Sequence, residues 1–203
     1  MKALLMACLI VSSSAQATPL RTHSSAVYLQ TLSPKGQSSC SGTAVKSNVI
    51  LTAKHCIPEG ILVLGANGLA VTVTKYIVDK SDHVLIVTND HQFKHIAYVD
   101  FSNSMHQTQN LYVWGNPGDF TDQFRRGYVT GKDNSSDHPA SWLIDFNGFF
   151  GDSGSCLFNS KDVCIGITSI SSFSQMTNPG PSMKFMGSYD FSFTPEQLKE
   201  AGL

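Results

Sequence analysis

The chain has 203 residues, a formal net charge of −1 and only 14% charged residues. Arg125-Arg126 is its only basic pair and reads as a solvated face, so a phosphate-tracking nucleic-acid protein is excluded. A hydrophobic content of 41% excludes a disordered chain.

The first element is "MKALLMACLIVSSSAQATPL". Lys2 is followed by the apolar run Ala3 to Val11 and by small residues ending Ala15-Gln16-Ala17. This predicts a signal peptide over 1–17, cleaved after Ala17. The run is too short to span a bilayer, and the segment before Cys8 is too short for a lipoprotein box. Residues 18–203 are expected to be secreted or periplasmic, monomeric and free of the membrane. Cleavage leaves Cys40, Cys56, Cys156 and Cys164, an even set that points to disulfides in an exported chain. Three pairings are possible, and spacing alone does not choose between them. No Cys-x-x-Cys occurs, which argues against structural zinc.

Short strands follow. "SAVYLQTL" and "LAVTVTKYI" alternate, and "NVILTA", "HVLIV", "NLYVWG", "GYVTG", "SWLIDF" and "CIGITSI" are rich in β-branched and aromatic residues. Turn clusters such as "SPKGQ", "GANG" and "GNPGDF" separate them, which predicts an all-β sandwich or barrel. "CLFNSKDVCIGI" reads as a hairpin. The chain closes on "TPEQLKEAGL", where Thr194 as cap, Pro195 and Gln197 predict a helix over 195–202.

Three places carry chemistry. "NVILTAKHC" delivers His55 to a strand end, "KSDHVLIV" sets Asp82 at the mouth of another strand, and "GFFGDSGS" holds Ser153 in a glycine-rich turn. Acyl transfer needs these three roles: a hydroxyl that attacks, an imidazole that takes and returns its proton, and a carboxylate that orients the imidazole. The order His55, Asp82, Ser153 excludes the α/β-hydrolase arrangement, whose histidine follows a Gly-x-Ser-x-Gly elbow. Here Ser155 stands at the last glycine position, and no histidine follows His138.

"TAKHC", "SDHVLIV" and "GDSGS" resemble the three catalytic signatures of chymotrypsin-like (trypsin-fold) serine peptidases. Asp79 and Asp90 are rivals for the carboxylate; Asp82 is preferred because "DHVLIV" resembles the family's Asp-x-Ala-Leu-Leu strand. "CSGTAV" resembles the family's strand that carries the first cysteine, and "VWGNPG" and "RRGYVTG" resemble the linked strands of compact bacterial members, including the high-temperature-requirement proteases. "DFNGFFGDSGSCLFNSKDVCIGITS" resembles the glutamyl endopeptidase branch. The likeness covers roughly residues 25 to 190. It departs at Ser155-Cys156, where the family often has Gly-Pro, in the short interval from His55 to Asp82, and in the lack of an Ile-Val-Gly-Gly start. No peptide-binding module is expected after the protease.

The resemblance implies two packed antiparallel six-stranded β-barrels, about 24–93 and 94–193, with the cleft between them. The first would bring His55 and Asp82, and the second Ser153. The N–H groups of Gly151 and Ser153 would form the oxyanion hole. Ser169 would touch Asp82, and Ser169-Ile170-Ser171 would pair with the substrate backbone. Asn147 would floor the primary pocket, with Gly148 leaving room and Thr168 adding a hydroxyl; an uncharged residue before the cleaved bond is therefore expected. Cys40–Cys56 matches the family's pair around the catalytic histidine, and Cys156 and Cys164 lie on the two arms of the hairpin. Asp152, a buried charge, is expected to find an internal partner, giving an enzyme active without a propeptide. The substrates would be proteins or peptides, and no cofactor or metal is needed. His23, His83, His91, His95, His106 and His138 are taken as surface residues. The alternative is a catalytically lapsed binding protein on the same scaffold.

Overall fold

In "NVILTA" and "HVLIV" the apolar residues run consecutively, Val49–Leu51 and Val84–Val87, rather than alternately, and their place in the fold explains why. The computed structural model describes residues 20–61, 63–89, 93–133, 140–174 and 183–203. The signal-peptide segment, Asp90, His91 and His138 lie outside the described residues, and for Ile170 and Ser171 only the backbone is described.

After a short helix α1 (Leu20–Ser24), absent from the sequence reading, come β1 (Ala26–Ser33), β2 (Gly36–Lys46), β3 (Val49–Ala53), β4 (Val63–Ala66), β5 (Leu69–Val71), β6 (Val73–Val78) and β7 (His83–Thr88). They form one sheet in the order β5-β4-β1-β2-β3-β7-β6. Leu64 and Ala66 of β4 share a core with Val84 and Ile86 of β7, four places away in that order, so the sheet curls on itself. The β4–β5 connection is Asn67-Gly68, both at positive φ, as a tight hairpin turn requires.

The C-terminal sheet holds β8 (Tyr98–Val99), β9 (Asn110–Gly115), β10 (Gln123–Lys132), β11 (Trp142–Ile144), β12 (Cys156–Phe158), β13 (Val163–Ile167), β14 (Ile170–Ser174) and β15 (Met183–Ser188). Its order is β14-β15-β11-β10-β9-β12-β13-β8. Met186 of β15 and Ile165 of β13, near its opposite ends, meet in one core with Val113, Val129 and Ile144, so this sheet curls as well. The molecule is thus the expected all-β, two-barrel fold. The sheets hold seven and eight described strands rather than six apiece, and short edge pieces such as β5 and β8 enlarge the count.

A third apolar cluster lies between the sheets. Val49, Leu51 and Ala53 of β3 and Leu85 of β7 meet Tyr112, Phe158 and Ile167 there, while Ile50, Val84 and Ile86 face the first barrel's interior. Both faces of β3 and β7 are therefore buried, which removes the alternation. Both disulfides belong to this cluster: Cys40–Cys56, with Cα atoms 6.1 Å apart, and Cys156–Cys164, 5.5 Å apart across the β12–β13 hairpin. Helix α2 (Pro195–Glu200) has the predicted capping box, Thr194 accepting from Gln197 N and the Gln197 side chain accepting from Thr194 N. Ala201 just beyond it plugs the interface cluster.

Candidate active site

The β3–β7 register sets the first half of the site. Ala53 lies opposite His83, and the Lys54 N–H donates to Asp82 O at 3.0 Å. The chain then turns through a single 3₁₀ turn, Lys54–Cys56, which swings His55 toward Asp82. His55 Nδ1 lies 2.7 Å from Asp82 Oδ2, and the His55 N–H donates to Oδ1 at 3.0 Å. A carboxylate only accepts, so Nδ1 carries the proton and Nε2 is left as the proton acceptor. The Ser169 hydroxyl donates to the same Oδ2. Burial alone would raise the Asp82 carboxyl, but the bonds and charge of His55 and the Ser169 hydroxyl hold it below its ordinary value. The carboxylate is therefore ionised and aimed. The His55 side chain is 46% exposed, open to a reactant.

The turn carrying Ser153 is pressed against the same strands. Ser41 N donates to Ser153 O at 2.8 Å, and Gly154 N to Thr168 O at 2.7 Å. Gly154 has φ +90°, and a Cβ there would sit 2.1 Å from Thr52 Oγ1 and 2.2 Å from Ser41 O. Only glycine lets the turn approach β2 and β3 this closely. Gly151, at φ +98°, is equally constrained, since a Cβ would meet Asn116 O at 2.4 Å. Ser41, fully buried, joins the parts: its hydroxyl donates to Gly151 O at 2.7 Å and accepts from Asn116 N at 2.9 Å. Among the described residues, neither the Gly151 N–H nor the Ser153 N–H is engaged, leaving two donors for an anionic oxygen. Nor does Ser153 Oγ hydrogen-bond to His55; free enzymes often close this contact only around substrate.

Behind the turn lies Asp152, fully buried. Its internal partner is Arg125 of β10, whose Nη1 donates to Oδ2 at 2.5 Å while Nη2 donates to Oδ1. The Phe149 N–H adds a bond at 2.8 Å, and Arg125 Nη1 also reaches Asn147 O at 3.1 Å. A Cβ on Gly115 would strike Asp152 Oδ1 and Ser155 Oγ at 2.7 Å, so the pair occupies the space that this glycine leaves. The reading of Arg125-Arg126 as a solvated face is thus corrected. Arg125 turns inward, and only Arg126 stays outside, over the Phe124 ring. The need of Asp152 for a cation was the available signal.

The pocket residues separate. Asn147 is exposed, while the Thr168 hydroxyl is spent on Asp152 O. The room expected above Gly148 is filled: a Cβ there would lie 1.7 Å from Met186 Cε. Met186 stands across from Ser171 in the β14–β15 pairing, and the sequence reading missed it. Asp145, two residues before Asn147, accepts from the Tyr128 N–H at 2.5 Å. Strand β14 is the last of its sheet, so one backbone edge of Ile170–Ser174 carries no strand among the described residues. Asp79, the rival carboxylate, pairs with His83 at 2.6 Å. His83, read as a surface residue, has no exposed side-chain area, because it opens the strand that is buried on both faces.

Comparison with known proteins fits this geometry. A serine endoprotease from Yersinia pestis superposes over 84% of this chain and 60% of its own, with a TM-score of 0.62 and 17% identity. The thermostable serine protease AL20 from an extremophilic microorganism superposes over 88% of this chain and 95% of its own, with a TM-score of 0.66 and 13% identity. No curated protein matches the sequence significantly. The model of the trypsin-like peptidase domain matches residues 40–167, more than half of the chain and spanning His55, Asp82 and Ser153, and the chain therefore belongs to the trypsin-like peptidase domain family.

Proposed function

We propose that the protein is an exported serine endopeptidase working through His55, Asp82 and Ser153. Ser153 Oγ attacks the peptide carbonyl as His55 Nε2 takes its proton. The oxyanion is held by the N–H groups of Gly151 and Ser153. The tetrahedral adduct collapses, His55 returns the proton to the leaving amine, and an acyl-Ser153 ester remains. Water, deprotonated by the same imidazole, hydrolyses the ester. The observation that carries this reading is the double bond of Asp82 to His55, through Nδ1 at 2.7 Å and through the main chain at 3.0 Å. A fluorophosphonate probe tests it: label on Ser153 that is lost in Ser153→Ala supports an assembled triad. The unmade Ser153–His55 bond is what favours the rival, a lapsed peptidase that only binds. An intact wild-type protein that resists the probe and hydrolyses no peptide would select that rival.

Export rests on the 1–17 segment, and the two disulfides are consistent with an oxidising compartment. Among the described residues no helix is long and apolar enough to cross a membrane. The barrel division at residues 93 and 94, and a monomer acting on protein or peptide substrates, belong to the same reading. Substrate backbone would add to the free edge of β14 along Ser169-Ile170-Ser171. With Met186 over Gly148, the pocket would take a small uncharged side chain. The Arg125–Asp152 pair would stand in for a freed N-terminus, so no propeptide cut is needed. N-terminal sequencing of active protein that begins at Thr18 would fit; activity found only in protein beginning further on would not.

A further inference from the structure

We propose that Asp79 and His83 are a positioning pair that fixes the orientation of Asp82; this rests on the triad reading above. Residues 79–83 form a closed loop with Asp82 near its crown. The Asp79 N–H donates to His83 O at 3.2 Å, closing the ends. Asp79 Oδ1 accepts from the N–H groups of Ser81, at 2.9 Å, and His83, at 3.2 Å. These are the two residues flanking Asp82, so one carboxylate oxygen holds the chain on either side of it. Asp79 Oδ2 accepts from His83 Nδ1 at 2.6 Å and from the Ser192 N–H at 2.9 Å. Ser192 in turn accepts from the Lys80 N–H at 3.1 Å, which pins the loop to the segment leading into α2. A fully satisfied buried carboxylate of this kind rigidifies its surroundings.

The histidine supplies the evidence that the pair does more than fill space. The side chains of His83 and Asp79 are wholly buried, and His83 Nε2 has no partner among the described residues. Its ring meets Phe191 at 4.9 Å and Phe193 at 6.2 Å, and among the described residues Asp79 is the charged group bonded to it. An apolar residue at 83 would pack against these phenylalanines with no orphaned lone pair. What it could not do is donate to Asp79, whose second oxygen would then lose one of its donors. Buried polar groups that carry such a cost cluster where geometry matters.

The test uses p-nitrophenyl acetate, which does not depend on the primary pocket, with Asp79→Asn, His83→Asn, His83→Gln and the milder Ser192→Ala. The amide nitrogen of Asn falls where His Nδ1 lies, and that of Gln where Nε2 lies. Misplacing a catalytic group by about an ångström can cost roughly 10²-fold in rate. We expect Asp79→Asn and His83→Gln to lose kcat on that scale with KM unchanged, His83→Asn to recover most of it, and Ser192→Ala to show a smaller loss. The acid limb of the kcat/KM profile should move to lower pH, because a carboxylate that grips the imidazole less firmly stabilises its protonated form less. A lowered Tm with kcat and the pH profile intact overturns the proposal, as does equal activity of His83→Asn and His83→Gln if the Asp79 variant does not fold. Asp82→Asn is the control: if it keeps full activity, the triad reading fails rather than the positioning of Asp82.

Discussion

The two His–Asp pairs of this protein are built alike and placed differently. Each joins a histidine Nδ1 to a carboxylate oxygen, at 2.7 Å for His55–Asp82 and 2.6 Å for His83–Asp79. Each aspartate also accepts the main-chain N–H of its own histidine. The first pair is partly exposed, with side chains at 46% and 20%. The second has no exposed side-chain area, and its Nε2 ends against phenylalanine rings. Under the proposed triad, the same pairing would serve as a base where it is exposed and as a brace where it is buried. The C-terminal half repeats the division: Ser153 is partly exposed, while the Arg125–Asp152 pair beside it is largely buried. Each half of the candidate site has a buried, hydrogen-bonded carboxylate behind the residue proposed to react.

The largest effect should separate the exposed pair from the buried one. Asp82→Asn puts the proton of His55 on the wrong nitrogen and should lower kcat on the order of 10⁴-fold. Its Tm should change little, because Asp82 is partly solvated. Steady-state hydrolysis alongside thermal unfolding checks both halves of this statement. A fall in Tm matching the fall in rate would make Asp82 a brace as well.

Breaking the second brace comes next. Arg125→Met leaves Asp152 buried and uncompensated, which typically costs about 3–5 kcal/mol of stability. The turn from Phe149 to Asp152 loses its anchor with it, so probe labelling of Ser153 should fall. Arg125→Met combined with Asp152→Asn removes both charges and should regain stability without regaining activity. Denaturant unfolding and labelling rates, measured on all three proteins, give the answer. Recovery of labelling in the double variant would show that Gly151 and Ser153 need no ionic support.

How much of this could be read in the sequence depends on how local each feature is. His55, Asp82 and Ser153 sit in short motifs whose chain order carries the chemistry. The Cys156–Cys164 bridge was legible because a hairpin brings its ends together. Arg125 was not, because its partner lies 27 residues away on a different element. His83 was misread for another reason: a polar residue opening an apolar strand looks like an edge, and only the β3–β7 pairing shows that the edge is covered. Asp79 was noticed only as a rival to Asp82, although four residues before His83 it was the obvious partner. Met186 lies across a sheet from Gly148, in a strand formed 38 positions later, and nothing local marks it as a pocket wall.

Met186 gives a prediction about selectivity rather than rate. Met186→Ala should clear the space above Gly148 and favour larger apolar residues before the cleaved bond. A pocket change of this size is worth roughly 10–200-fold in relative kcat/KM. A peptide-library profile of both proteins measures it. Unchanged preference in the variant would mean that Met186 serves the barrel core alone, with Leu111 and Val129, and does not bound the pocket.

The smallest effect is the most direct comparison of the two pairs, and it lies in acid. Both aspartates are held below their ordinary value: burial opposes ionisation, and the partner histidine with further hydrogen bonds outweighs it. A carboxyl whose value is lowered by folding stabilises the native state above its unfolded value, and that contribution disappears as pH falls through the folded value. The stability gap between wild type and Asp79→Asn should therefore be widest near neutrality and should narrow below the ordinary carboxylate range. Asp82→Asn should behave in the same direction with a smaller amplitude, since solvent already screens its carboxylate. Urea unfolding of the three proteins between about pH 7 and pH 3 traces these curves. A gap for Asp79→Asn that stays constant through the acid range would mean that shape, and not charge, is what Asp79 contributes to the loop carrying Asp82.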